Sequence, residues 1–121
     1  MDMVELKRIT KNTQATQTTE AHLLSQVWVA QSFWQRLRGL LFRPELKKSQ
    51  GLLITRCRQI HTLGMKYSLD IIFLDRHGHV VKLCHSVKPY RQAFAVKASL
   101  TLEVASGVAR DHGLKTGDQL T

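Results

Sequence analysis

Apolar and polar positions along this chain alternate over short stretches, and one longer stretch carries a helical period. The clearest alternation is Leu100-Thr101-Leu102-Glu103-Val104, which predicts a strand with Leu100, Leu102 and Val104 inward and Thr101 and Glu103 outward. Residues 3 to 10 predict a first strand with Val4 and Leu6 on one face. Lys11 to Glu20 is rich in Thr and Gln without periodicity and reads as a loop or hairpin turn. Val27-Trp28-Val29 is strand-like in composition, and Gly51-Leu52-Leu53-Ile54 opens another strand.

The helical period lies between them. Phe33, Trp34, Leu37, Leu40 and Leu41 share one apolar face, behind a Ser32-x-x-Gln35 capping box. Pro44 disfavours helix at Arg43, so the helix is expected over Phe33 to Phe42.

The stretch from Ile60 to Asp75 begins polar and ends in Ile71-Ile72-Phe73-Leu74, which predicts a strand buried on both faces. Asp75-Arg76-His77-Gly78-His79 is a turn, with Gly78 suited to positive φ, and Val80 to Cys84 returns as its hairpin partner. Pro89 lies in a loop running to about Lys97. Ser106-Gly107 turns the chain, Val108 to His112 suits one helical turn ended by Gly113, and Gln119-Leu120 suits a terminal strand. Many short strands, regular turns and one helix of any length predict a mainly β domain: a compact sandwich or barrel-like fold with one short helix near residues 33–42.

At 121 residues the chain is expected to be a single domain, with a strand and polar loop over 1–22 and the remaining core over 23–121. Cys57 and Cys84 form no Cys-x-x-Cys pair, and free thiols in or near the core are expected. The first residues lack a basic segment followed by an apolar one, and no apolar run reaches the length of a membrane helix, so a cytoplasmic location without membrane contact is the expectation. The net charge of +9 is unevenly spread. Thirteen of the eighteen Lys and Arg residues fall between Arg36 and Lys66 or between Arg76 and Leu102, where Glu45 is the only acid. Sharing one face, they would attract anions or nucleic acid; dispersed, they are a solvated basic surface. The aromatic residues are few and not interleaved with the basic ones along the sequence, and no nucleic-acid motif is present.

Three blocks together resemble the family called domain of unknown function 192. Arg36-Leu37-Arg38-Gly39-Leu40-Leu41-Phe42-Arg43 is similar to its Arg-x-Arg-Gly-Leu-Met-x-Arg signature. His61-Thr62-Leu63-Gly64-Met65-Lys66, then Leu69-Asp70 and the buried strand, resembles its central His-Thr-x-x-Met-Arg/Lys motif. Leu102-Glu103 to Gly107, with Gly117-Asp118, resembles its Leu-Glu-x-x-x-Gly block and closing turn. The likeness runs from about Val27 to Leu120. It implies a compact β-rich fold with a short helix, and it implies no activity, because none is established for the family. Ser68 stands where members often carry proline, and Gly64 where many carry tryptophan, so a pocket built on that indole would lack a wall.

Arg38, His61, Met65, Lys66, Asp70 and Glu103 are the candidate ligand-binding residues, at the mouth of the Leu69–Leu74 strand. A pocket there suits a small polar or anionic ligand, sugar-like molecules included. The alternatives are a small enzyme using His61 and Asp70 as an acid-base pair, or a basic adaptor for nucleic acid or an acidic partner. A lone histidine beside a strand is more often structural, and a carboxylate at the edge of an apolar run is costly unless paired, so Asp70 is expected to pair with Arg36, Arg38 or a loop amide. No nucleophile elbow, P-loop or dinucleotide fingerprint appears, and His77-x-His79 lacks the spacing of a defined metal motif; no cofactor or metal is expected.

Overall fold

The structure, a computed structural model, describes residues 2–11, 18–38, 45–62 and 65–121. In chain order it comprises β1 (Asp2–Lys11), β2 (Thr18–Ala30), α1 (Phe33–Arg38), β3 (Gln50–Thr55), β4 (Gln59–His61) and β5 (Leu69–Leu74). There follow β6 (Val80–Val87), β7 (Gln92–Phe94), β8 (Leu100–Ala105), α2 (Val108–Asp111) and β9 (Gln119–Leu120). The expectation of a mainly β domain holds. Seven strands form one mixed sheet in the order β6-β5-β8-β3-β2-β1-β9, and β4 pairs with β7 in a separate ribbon.

The sheet does not close into a barrel, but its two ends meet. His79, just before β6, bridges Gln119 of β9, and Val80 N–H donates to the Asp118 carbonyl at 2.8 Å. The curled sheet encloses a first core of Leu6, Leu24, Val27, Ile72, Leu102 and Val104. Val108 and Ala109 of α2 join the same core. The other face carries a second core: Leu52, Leu69, Ile71 and Phe73 from the sheet pack with Ile60 and Ala93 from the ribbon, and with Met65. Strand β5 lies between the two, which is why all six of its residues are buried.

That second layer changes the reading of β8. Leu102 and Val104 face the first core as expected, but Thr101 and Glu103 also point into a buried layer. Thr101 Oγ1 donates to the Cys57 carbonyl at 2.9 Å and so meets its polar requirement; Glu103 is treated below. The ribbon itself lies in segments expected to be irregular. Its strands are three residues long, and in each only the middle residue, Ile60 or Ala93, faces the core. At the N-terminus β1 buries Leu6 but leaves Val4 exposed, because the β1–β2 register shifts between them. Strand β2 starts at Thr18, inside the expected Lys11–Glu20 loop, of which residues 12–17 lie outside the described part.

The capping box forms as read. Ser32 Oγ accepts from Gln35 N–H at 3.1 Å, and Gln35 Oε1 accepts from Ser32 N–H at 3.3 Å. The expected continuation of the helix through Phe42, with Gly39 and Pro44, falls outside the described residues. Helix α1 connects β2 to β3, which run parallel; such neighbours require a crossover rather than a hairpin.

The β5–β6 turn is built by Asp75 and Gly78. Asp75 Oδ1 accepts from the N–H groups of His77 and His79, at 2.9 and 3.0 Å. Gly78 has φ of 84°, and a Cβ there would collide with the Leu120 carbonyl oxygen of β9. Gly78→Ala is therefore expected to cost roughly 2–3 kcal/mol in urea unfolding, from left-handed strain and forced separation of the two sheet ends. A cost below about 0.5 kcal/mol, within the range of an ordinary surface substitution, would show that this junction does not contribute.

Candidate functional site

Asp70 and Glu103 are the two buried carboxylates expected at the site, and the sheet separates them. Asp70 pairs in register with Val104 and shares the face of the first core. Glu103 pairs with Leu52 on one side and Ile71 on the other, both in the second core. The period-two alternation of a strand dictates this, because Asp70 stands beside Ile71 in β5 and Glu103 beside Val104 in β8.

Asp70 is 1% exposed, and its carboxylate is fully engaged by backbone. Oδ1 accepts from Ser86 N–H at 2.8 Å, and Oδ2 accepts from Gly107 and Ala109 N–H at 3.0 Å each. Gly107 is the N-cap of α2 and offers no side chain for the free amides, so Asp70 caps that helix from a neighbouring strand. Of the partners expected for Asp70, a loop amide is present in Gly107; its other two donors are the amides of Ser86 in β6 and Ala109 in α2. Arg36 does not reach it: the Arg36 Nε is buried without a hydrogen-bond partner among the described residues.

His61 lies at the end of β4 with its side chain exposed, while Ile60 beside it faces the core. His61 and Asp70 therefore form no acid-base pair: one faces solvent on the ribbon, and the other is saturated by amides beneath the sheet. Lys66 is exposed. Met65 is buried in the second core. Arg38 ends α1, and its side chain lies outside the described part, as does Gly64. Thr62, beside His61, is a fastening point: its Oγ1 donates to the Lys88 carbonyl at 2.7 Å and accepts from Arg91 N–H at 2.8 Å, tying the start of the central motif to the loop before β7.

Glu103 is the unusual group. It is 6% exposed, and no hydrogen bond from a described residue reaches its carboxyl. Burial alone raises its pKa from the ordinary carboxylate value to about 7. Tyr67 is its polar neighbour. The phenol packs on the second core, and its hydroxyl is enclosed without a well-formed partner. Burial pushes the Tyr67 hydroxyl above its ordinary range; a pull from the Leu46 backbone opposes this, and the nearby Glu103 and Glu45 charges add to it. Tyr67 stands within the polar cluster before β5 but was not among the expected site residues. The available signal was an aromatic ring with a polar tip next to a buried strand.

A curled mixed sheet with a two-stranded ribbon over its second face, and between the layers a buried carboxyl that no described residue hydrogen-bonds, defines a small β domain. The model of the family domain of unknown function 192, described as an uncharacterized ACR, matches residues 13–121, and the chain belongs to this family. The match begins earlier than the Val27 expected from the motifs. Two solved structures are similar. One is a protein of unknown function from Novosphingobium aromaticivorans DSM 12444, with a TM-score of 0.78 and 22% identity over 98% of this chain and 84% of that one. The other is a candidate transcription regulator from Sinorhizobium meliloti 1021, with a TM-score of 0.78 and 22% identity over 100% of this chain and 95% of that one. At this identity the likeness is one of fold. No curated protein matches the chain. No helix among the described residues is long and apolar enough to cross a membrane.

Proposed function

We propose that this protein is a binding module for a small polyhydroxylated ligand, held on the second face of the sheet by Glu103 and Tyr67. The observation that carries the reading is the Glu103 carboxyl, buried between Leu52 and Ile71 with no hydrogen bond from a described residue, near the Tyr67 hydroxyl, which lacks a well-formed partner among the described residues. Buried polar groups are normally paired, so two such groups without a well-formed partner among the described residues favour a partner that arrives from outside. A carboxyl with pKa about 7 both donates and accepts near neutral pH, as does a phenol. Sugar-like hydroxyls fit that pair, and the C–H faces of such a ligand suit an apolar floor that includes Met65. An anionic ligand is disfavoured at this position, because Glu103 would repel it whenever ionised.

The test is a thermal-shift screen with monosaccharides and polyols, run on the wild type, Glu103→Gln and Tyr67→Phe. At least one compound is expected to stabilise the wild type, by about 2.7 kcal/mol at a hundredfold excess over Kd, and to lose most of that effect in both variants. A wild type that no compound stabilises, or a shift that survives both substitutions, overturns the reading.

A further inference from the structure

The outer side of the β4–β7 ribbon carries a different kind of surface, far richer in charge. Phe94 and Val96 are 59% and 73% exposed, and Tyr90 just before β7 is 66% exposed. Phe94 to Val96 forms a ridge between two shallow hollows. One, of about 290 Å³, is lined by Lys82, Lys97 and the ridge; the other, of about 250 Å³, by Arg58, Gln59 and the ridge. Lys82 Nζ sits 5.2 Å from the centroid of the Phe94 ring and donates to the Phe94 carbonyl at 2.8 Å. That bond fixes a cation against one side of the ring.

Residues 56–62 and 88–98, which build the ribbon and its flanks, contain Arg56, Arg58, Lys88, Arg91 and Lys97 and no Asp or Glu. All five basic side chains are exposed. The sequence order hides this arrangement, because Arg58 and Phe94 come together only through the pairing of Gln59 with Phe94. The aromatic and basic groups that are not interleaved along the chain are interleaved on this ribbon.

We propose that the outer face of the β4–β7 ribbon binds a single-stranded nucleic acid, with a base against Phe94 and phosphates at Arg58 on one side and at Lys82 and Lys97 on the other. Charge complementarity makes the occupant a polyanion. The exposed Tyr90 and Phe94 rings favour bases over carboxylate side chains, since every base offers a π-face and an acidic peptide offers none. Two cationic hollows separated by one aromatic ridge match a strand whose backbone continues past a stacked base. Among the described residues lining the hollows, Gln59 is the one amide side chain and the remaining polar groups are cations suited to phosphate, so sequence preference is weak.

The test is fluorescence anisotropy with a labelled oligo-dT of roughly a dozen nucleotides, within the usual footprint of such sites. A duplex of the same length and poly-glutamate serve as competitors. The expected result is low-salt binding of the single strand that falls steeply with added salt. Phe94→Ala is expected to weaken binding roughly five- to a hundredfold, as loss of a stacked base does. The double variant Arg58→Glu, Lys97→Glu is expected to remove binding. All three positions are exposed, and unchanged thermal melting of the variants verifies their folding. The proposal is overturned by absence of binding at low salt, by binding indifferent to Phe94→Ala, or by competition from poly-glutamate or duplex equal to that of unlabelled single strand.

Discussion

Replacing Asp70 with alanine is expected to destabilise the fold by about 3–5 kcal/mol, among the largest effects a single substitution can have here. The side chain is small, so lost apolar burial contributes little. The loss comes from the N–H groups of Ser86, Gly107 and Ala109, all of which donate to the Asp70 carboxylate. A buried amide left without an acceptor costs about 1–3 kcal/mol; the Ala109 bond is buried and the Ser86 and Gly107 bonds are part-buried, so entry of water keeps the sum below the simple total. The same bonds hold unusual backbone. Ser86 has φ of 48° and Gly107 has φ of 94°, and the Ser86 and Ser106 hydroxyls meet at 2.6 Å beside them. Asp70 thus joins the end of β6 to the start of α2 from its position on β5. Asp70→Asn keeps one acceptor oxygen and presents an amide group to the remaining N–H donors, so its expected cost is smaller, about 1–3 kcal/mol. Urea unfolding of the two variants measures both values. A loss under about 1 kcal/mol for Asp70→Ala would remove the anchoring role and return the residue to the list of ligand contacts.

Asp70 also illustrates what a sequence can and cannot disclose. The buried strand after it was legible because an apolar run between turn residues is a local signal. So was the Asp75–Gly78 turn, and so was the Ser32–Gln35 cap, whose two hydrogen bonds join residues three apart. The identity of Asp70's partners was not legible beyond a class, since they come from 16 to 39 residues away. The β4–β7 ribbon escaped for another reason. Three-residue strands with one inward residue each carry no periodicity, and the pairing depends on the second core beneath them. That missing layer then misplaced Thr101 and Glu103. A clean alternation reads as one wet face and one dry face, and nothing local tells a strand that a ribbon from elsewhere in the chain will cover the wet side. The six expected site residues accordingly divided, with Glu103 and Met65 in the second core and Asp70 under the opposite face. Tyr67, chosen by none of the motifs, became the neighbour that makes Glu103 interpretable.

Glu103 is expected to make the protein less stable as pH rises from about 5 to about 8. Its pKa is about 7 in the folded state against an ordinary value of 4.5. Below the lower value the carboxyl is neutral in both states and contributes no pH dependence. Between the two values the unfolded chain has released the proton while the folded chain retains it. The folded state then binds more protons, so stability falls with rising pH and levels off above about pH 7. At about 1.4 kcal/mol per unit of pKa, the full loss is on the order of 3 kcal/mol. Glu103→Gln keeps the shape and removes the ionisation. It is therefore expected to match or slightly trail the wild type near pH 5 and to exceed it by about 2–3 kcal/mol near pH 8. Every other ionisable residue is the same in both proteins, so the difference between the two urea-unfolding profiles isolates Glu103. A difference that stays flat from pH 5 to 8 would mean that the carboxyl is solvated or paired, and would remove the main support for a ligand at this position. A ligand whose hydroxyls donate to the ionised carboxyl supplies a pairing that no described residue supplies. Saturation with such a ligand is therefore expected to flatten the wild-type profile between about pH 5 and 7, where the unliganded protein loses stability, and to leave the Glu103→Gln profile unchanged.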